Sequence, residues 1–345
     1  MSYKERILNL KHYIFNLIII WLAILFYRYS SFYSNFLSQK TQTTILALAV
    51  IYTISGFFYY LLKSPEKIIE SKGTILFRAL KRSIKEVFNL LRIFNTNTNK
   101  KFPKFDKKEK TAFLFLVVKI FFLPLMLNFL FGNFSSAKNN LTNISEISQF
   151  TNIYTFNDLI FPFIISAIFF LDTLWFSFGY AFESRSLKNT IRSVEPTILG
   201  WAAALICYPP FNGMLTKYTN WYANDHILFF NNTLTFAIRI IIVALLLIYL
   251  SATFALGAKC SNLTNRGIVA RGPYKFIRHP AYISKNLAWW LTIIPVASLP
   301  AIISMGTWSI IYHIRAITEE RHLIKDPNYQ SYCRQVKYKY IPFVY

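Results

Sequence analysis

The sequence predicts an all-α, polytopic integral membrane protein with about eight transmembrane helices. Three observations support this. The mean hydropathy is +0.35. Hydrophobic residues make up 54% and charged residues only 15% of the 345 positions, against ~45–50% and ~25% in soluble chains. Aromatics reach 18%, with 34 Phe and 22 Tyr, which exceeds what one aqueous core uses and suits lipid-facing helices with interfacial rings. The abundant apolar surface excludes intrinsic disorder, and 10 Gly with 13 Pro exclude a collagen-like or linker-dominated chain. Cys207, Cys260 and Cys333 are too few and too scattered for a disulfide framework or a zinc site, so free thiols and no metal are expected.

A span needs about 20 apolar residues to cross ~30 Å of hydrocarbon. Such runs fall at about 13–27, 43–62, 112–132, 157–182, 197–215, 234–257, 281–299 and 301–318. The first follows Lys4, Arg6 and Lys11 as a signal peptide would. Tyr27, Arg28 and Tyr29 come after it without a small-residue cleavage site, so a retained anchor is expected. Pro209 and Pro210 interrupt the fifth run, where the helix cannot be continuous. The break either shapes a cavity or ends the span.

The net charge of +23 suggests nucleic acid until its distribution is considered. Fourteen Lys and Arg lie within residues 63–110, and most others flank apolar runs, as the positive-inside bias requires. Nucleic acid is therefore not an expected partner. With the N-terminus in the cytoplasm, the outer loops carry Arg28 and Lys40, then Lys138, then Lys217. The inner loops carry the basic stretch, then Arg185, Lys188 and Arg192, then Lys259, Arg266, Arg271, Lys275 and Arg278. Both termini are expected in the cytoplasm, and the membrane is expected to be a bacterial inner membrane. Two regions follow: 1–155, a membrane region with a basic cytoplasmic loop at 63–111, and 156–345, whose reactive residue types concentrate in 260–345.

Within the basic loop, residues 73–94 repeat apolar side chains at helical spacing (Ile75, Leu76, Leu80, Ile84, Val87, Phe88, Leu91), which predicts a helix lying on the inner leaflet. Residues 95–110 read as a solvated linker. Lys119 and Asp172 fall inside apolar runs at similar depth, each about 10–15 Å from the cytoplasmic end of its helix. Such ions are functional candidates unless paired, and a Lys119–Asp172 ion pair or a snorkelling Lys119 is the plainer expectation. Arg239, near the outer end of its helix, is expected to snorkel.

The densest reactive cluster is NRGIVARGPYKFIRHPAYISKNLAWW, residues 265–290. Gly272 and Pro273 make a turn, and Pro280 suits the first position of a helix, where no N–H is needed. That helix sets Tyr282, Lys285, Asn286 and Trp289 on one face. A face this polar and aromatic should meet protein or ligand rather than lipid. In the last apolar run, Glu319 and Glu320 sit near a helix C-terminus, where the macrodipole disfavours acids by ~0.3–1 kcal/mol each, so a cation should compensate. Arg315 can pair with Glu319 at i, i+4, while Tyr312 and His313 share the face of Glu320. Asp326 followed by Pro327 predicts an N-cap and a final amphipathic helix to about Lys337. The segment 179–201 is polar, cytoplasmic and able to contribute acceptor contacts, with Glu183 and Arg185 its first candidates; otherwise it is an ordinary loop.

RGPYKFIRHPAY, followed about 40 residues later by TEERHL and then DPNYQSYCRQVKYKYIP, resembles the isoprenylcysteine carboxyl methyltransferase and phospholipid methyltransferase superfamily of membrane enzymes. The resemblance covers about 260–345. It implies a methyltransferase-like region at 156–345 with S-adenosylmethionine held in a cytoplasmic-side pocket formed by the C-terminal helices, and a lipid-like or prenylated methyl acceptor. By position it carries over Arg278, His279, Tyr282, Glu319, Glu320 and Tyr274 as donor-binding residues, and Arg278, His279 and Arg271 as catalytic ones. Their chemistry suits the roles independently. Arginine clamps a carboxylate, a carboxylate takes an amino group or ribose hydroxyls, and aromatic rings face a sulfonium. A carboxylate acceptor would need only orientation by Arg271 or Arg278, whereas an amine or thiol would need a base, for which His279 is the candidate.

No G-x-G spacing occurs, so the usual Gly-rich nucleotide turn is absent. Ser284 stands where relatives often have Gly, which puts the closeness of the donor to that backbone in doubt. The tail also resembles sterol reductases of related membrane folds, which makes an NADPH-dependent reductase the alternative.

Overall fold

The structure is a computed structural model, and it describes residues 3–62, 71–93, 105–144, 152–342 and 344. The chain forms two compact units, Met1–Pro124 and Leu125–Tyr345.

The first unit holds α1 (Tyr3–Tyr29), α2 (Ser31–Phe36), α3 (Gln39–Leu62), α4 (Lys72–Ile93) and the start of α5 (Lys107–Thr142). Aromatic side chains join α1 to α3: the Tyr13 ring meets Tyr52, Phe57 and Tyr60, and its hydroxyl donates to the Thr53 carbonyl at 2.7 Å. Helix α4 lies on α1 through stacked Phe15 and Phe77, with ring centroids 4.2 Å apart. Elsewhere α4 exposes Leu80, Ile84 and Phe88, one turn apart, the stripe expected of an interfacial helix. Of the linker expected at 95–110, residues 95–104 lie outside the described residues and 107–110 already belong to α5. That helix begins with reciprocal capping. Asp106 Oδ1 accepts from the Glu109 N–H at 2.7 Å, and Glu109 Oε2 accepts from the Asp106 N–H at 2.9 Å and from Arg82 at 2.7 Å.

In the second unit, α6 (Ile153–Thr155) continues through a π-helical turn at Phe156–Ile160 into α7 (Phe161–Ala181). There follow α8 (Ile198–Leu205), α9 (Phe211–Thr216), α10 (Asn232–Leu256), α11 (Pro280–Thr292), α12 (Leu299–Leu323) and α13 (Pro327–Gln335). Two short strands, β1 (Ser193–Val194) and β2 (Thr264–Asn265), pair antiparallel. Helix α10 packs on both α7 and α11. Phe161, Ile165 and Ile168 of α7 meet Ile242, Leu246 and Leu250 of α10 and Ala288 of α11 in one buried core. Helix α10 stops at Gly257, whose φ of 53° lies in the left-handed region that glycine enters without a Cβ clash. There the chain turns toward the motif segment.

Among the described residues, five rather than eight helices are long and apolar enough to cross a membrane: Arg6–Tyr29, Gln39–Leu62, Lys107–Thr142, Ile153–Ala181 and Asn232–Lys259. The run at 197–215 is split into α8 and α9 around Pro209–Pro210, as the prolines dictate. The run at 281–299 holds only the 13 residues of α11 before a 3₁₀ turn at Ile294–Val296, about 20 Å of helix. Helix α12 has 25 residues but carries His313, Arg315, Glu319 and Glu320 within its length.

The ions at depth find local partners. Asp172 accepts from the Tyr249 hydroxyl at 2.6 Å and the Thr253 hydroxyl at 2.7 Å, both on α10. Lys285 Nζ lies 5.0–5.2 Å from the ring centres of Phe169, Tyr249 and Trp289. Arg239 does not snorkel. It is buried, and its guanidinium donates to the carbonyls of Asn157, His226 and Ile227 and lies over the Phe161 ring at 4.5 Å, because the π-helical turn before α7 and the loop before α10 supply acceptors within its reach. The three cysteines are free thiols.

Gly179 of α7 has no room for a side chain, since a Cβ there would collide with the Cys260 carbonyl oxygen. Gly179→Ala should therefore destabilise the protein by about 1–3 kcal/mol, read as a lower thermal midpoint of the detergent-purified protein. Gly132→Ala, which meets nothing within 4 Å, should leave the midpoint unchanged.

Candidate functional site

Pro280 opens α11 and leaves Arg278 and His279 immediately ahead of it. Their backbone N–H groups donate to the carbonyls of Tyr338 and Lys339, both at 3.0 Å, so the tail after α13 runs back alongside the motif. Arg278 Nε donates to Glu320 Oε1 at 2.7 Å, and its Nη1 donates to the carbonyls of Val336 at 3.1 Å and Lys337 at 2.5 Å. His279 Nε2 lies 3.1 Å from the same Oε1, and Lys339 Nζ lies 3.2 Å from Oε2. Three basic side chains thus face one carboxylate. Burial alone would raise the Glu320 carboxyl, but the hydrogen bonds from His279 and Arg278 and the charge behind them outweigh it, and its pKa falls from 4.5 to about 2. This is the compensating charge that an acid near a helix C-terminus calls for.

One step further along α11, Tyr282 stacks on the His279 ring (5.3 Å between centroids, 11° between planes) and donates its hydroxyl to Glu319 Oε2 at 2.8 Å. Tyr282 and Glu319 line a cleft of about 460 Å³, including its open mouth, together with Glu195, Asn262, Arg315 and His322. Arg315 does not pair with Glu319. Its guanidinium donates to Asn262 Oδ1 at 3.0 Å and lies over the rings of Tyr282 and Tyr312 at 5.2 and 5.4 Å. Tyr312 meets Tyr282 and Trp289 edge-on, and Asn286 accepts from Ser309 at 3.1 Å. The polar-aromatic face of α11 therefore faces protein, as its composition predicts.

The opposite wall comes from the segment after α7, tied down by the two-stranded ladder. The Arg192 N–H donates to the Asn265 carbonyl at 2.8 Å, and the Glu195 N–H to the Leu263 carbonyl at 2.7 Å. Glu195 Oε1 accepts from the Thr197 N–H at 3.1 Å, from the Thr197 hydroxyl, and from Arg321 at 3.4 Å. Its Oε2 is buried with no hydrogen-bond partner. His322 Nδ1 stands 3.9 Å from that oxygen, and His322 Nε2 lies 2.8 Å from Ser193 Oγ. Burial holds the His322 imidazole below its usual pKa, with Lys325 acting the same way and Glu195 opposing. Gly200 makes space for the carboxylate, since a Cβ there would collide with Glu195 Cγ.

The residues expected at the donor site are thus distributed over several places. Tyr282 and Glu319 line the cleft. Arg278, His279 and Glu320 form the knot with the tail. Arg271 is exposed, its Nε donating to the Ala255 carbonyl at 2.9 Å. Tyr274 packs with Tyr329 and Tyr332, and its carbonyl accepts from the Tyr332 hydroxyl at 2.8 Å. Glu183 accepts from the Ile191 N–H at 2.9 Å, and Arg185 is exposed. Ser284 turns its hydroxyl back onto the Pro280 carbonyl at 2.7 Å. Glu195, Asn262 and His322 were not evident from the sequence as site residues. The available signal was weak: His322 follows Glu319 at i+3 on the same helix face, and Glu195 lies inside the polar segment 179–201. Among the described residues, no group of three or more His, Cys, Asp or Glu is arranged to hold a metal ion.

Residues 228–329 match the phospholipid methyltransferase family. The match spans α10, the motif segment, α11, α12 and the start of α13, so it covers Arg278, His279, Tyr282, Glu319 and Glu320 but not the Glu195 wall of the cleft or the tail at 336–340. The class that follows is a membrane methyltransferase. The match gives the reductase alternative no support. No curated protein and no solved structure matches the chain.

Because the Glu320 pKa is depressed on folding, its contribution to stability is fully present above about pH 4.5 and is lost as pH falls through about 2. Hydrogen exchange, corrected for intrinsic rates, should show the Arg278 and His279 amides losing protection between pH 5 and pH 2. In Glu320→Gln that pH step should disappear and protection should be low throughout.

Proposed function

We propose that the protein transfers a methyl group from S-adenosylmethionine, entering the cleft from the cytoplasm, to a lipid-like acceptor that arrives laterally through the bilayer. The isoprenylcysteine carboxyl type is the form that the motifs favour. The observation carrying the donor assignment is the Tyr282–Glu319 hydrogen bond at the cleft, which joins two separate family motifs in one wall.

The chemistry of the cleft suits the donor. Arg315 offers charge to a carboxylate, Glu319 and the unpartnered Glu195 Oε2 offer acceptors to an amino group or hydroxyls, and the Tyr282 ring offers a π face to a cation. When bound, S-adenosylmethionine supplies an electrophilic methyl group on a sulfonium. The work left to the chain is placement, because an in-line displacement is accelerated mainly by orientation. In this reading Tyr282 and Glu319 touch the donor, while Arg278, His279 and Glu320 are positioning residues that hold the start of α11. The basic loops put both termini in the cytoplasm, in keeping with a bacterial inner membrane.

Equilibrium binding of tritiated S-adenosylmethionine to the detergent-purified protein tests this. Binding should be saturable, displaced by S-adenosylhomocysteine and not by NADPH. Glu319→Gln should weaken it about tenfold or more and Tyr282→Phe by several-fold, the range for removing a charged or a neutral hydrogen bond. Binding of NADPH alone, or no binding displaced by S-adenosylhomocysteine, would overturn the reading.

A further inference from the structure

We propose that α4 is a binding helix for acidic phospholipids of the cytoplasmic leaflet, in which Leu80, Ile84 and Phe88 enter the acyl boundary and Arg78, Lys81 and Lys85 take the phosphate groups beside it. This inference goes beyond the methyl-transfer reading and does not depend on it, since α4 lies outside residues 228–329.

The helix carries two parallel rows. Leu80, Ile84 and Phe88 follow one another at i, i+4, i+8 and are exposed. Arg78, Lys81 and Lys85, at i, i+3, i+7, are exposed as well. At about 100° per residue the basic row lies roughly a quarter turn around the helix from the apolar one. A helix lying in the plane of the interface needs this arrangement, because its stripe faces the acyl chains while the cations at its side reach the headgroups.

The start of α4 is held where such a helix works. Ser71 Oγ accepts from the Thr74 N–H at 3.2 Å, and His12 Nδ1 of α1 lies 2.7 Å from Thr74 Oγ1 and 3.3 Å from Ser71 Oγ. Gly73 permits the close approach, since a Cβ there would collide with Asn16 Oδ1. With Phe77 stacked on Phe15, these contacts dock the first turns of α4 on residues 12–16 of α1. Those residues lie about 10–15 Å inside the N-terminal end of the span Arg6–Tyr29, the end expected in the cytoplasm. The span is somewhat longer than the ~30 Å hydrocarbon core, so the docking point falls near the boundary between headgroups and chains. Beyond Phe77 the exposed stripe begins.

The basic row keeps its charge. Glu86 and Glu109 both face Arg82, at 3.8 and 2.7 Å, and Asp106 caps α5. Among the described residues no carboxylate pairs with Lys81 or Lys85. Lys107, Lys108 and Lys110 at the start of α5 are exposed too. A surface of this sign draws anionic headgroups and gives zwitterionic ones no comparable attraction.

The test uses full-length protein in phosphatidylcholine nanodiscs that carry a trace of either phosphatidylglycerol or phosphatidylcholine bearing a photoactivatable diazirine in its acyl chain. Adducts are mapped by peptide mass spectrometry. Peptides spanning residues 78–88 should be labelled about fivefold or more strongly by the phosphatidylglycerol probe. The double variant Lys81→Gln, Lys85→Gln should bring that ratio close to one while α10 peptides are labelled as in the wild type, and Lys81→Arg, Lys85→Arg should preserve it. Leu80→Ser with Ile84→Ser should reduce adducts from both probes. Concentrated NaCl should shrink the ratio by screening, and inorganic phosphate at the same ionic strength should do no more, which separates a lipid headgroup from free phosphate. Equal labelling of α4 by the two probes, a ratio that survives the glutamine variant, displacement by phosphate beyond that by NaCl, or no adducts on α4 while α10 is labelled would each overturn the proposal.

Discussion

The carboxylate of Glu320 is the point on which the C-terminal unit depends. It sits near the end of a helix, where the backbone dipole opposes it, and it is stable there because Arg278, His279 and Lys339 converge on it from two other segments. Removing any one of the three would leave partly buried charge under-compensated, which costs more than the net worth of an intact pair. The same contacts fix the start of α11, and through the His279–Tyr282 stack they fix the ring that walls the cleft.

This arrangement separates two tasks that the motifs place side by side in the chain. The arginine, histidine and second glutamate of the motifs spend their polar atoms on one another and on the tail backbone. The tyrosine and first glutamate face the cleft. Neighbouring residues part because successive helical positions are about 100° apart, so Glu319 and Glu320 point to different surroundings. A paired acid at a helix end thus puts one carboxylate at the cleft and the other in a structural contact.

The parts of the fold governed by local chemistry were legible in the sequence. These include the long apolar helices, the break at Pro209–Pro210, the start of α11 at Pro280, the Asp326 cap of α13, and the amphipathic α4. Contacts made over long chain separations were not legible. Arg239 reads as a snorkelling cation until the loop before α10 and the π-helical turn before α7 bring three carbonyls to it. Arg315 reads as the i, i+4 partner of Glu319 until Asn262 and two rings claim it. Helix α11 reads as a span because apolar composition continues past Thr292, where the helix itself stops. Glu195 was hidden for a related reason: only the pairing of β1 with β2, some 70 residues apart, brings an unremarkable loop acid to the cleft.

The backbone bonds from Arg278 and His279 to the carbonyls of Tyr338 and Lys339 also set an order of events during synthesis. Chains emerge from their N-terminal side first, so α10 and the motif segment are made about sixty residues before the strand that latches them. Until residues 336–340 arrive, Arg278 has no backbone acceptors and Glu320 lacks its lysine. The knot around Glu320 is therefore completed late, and a partly made chain would hold the motif without its final geometry.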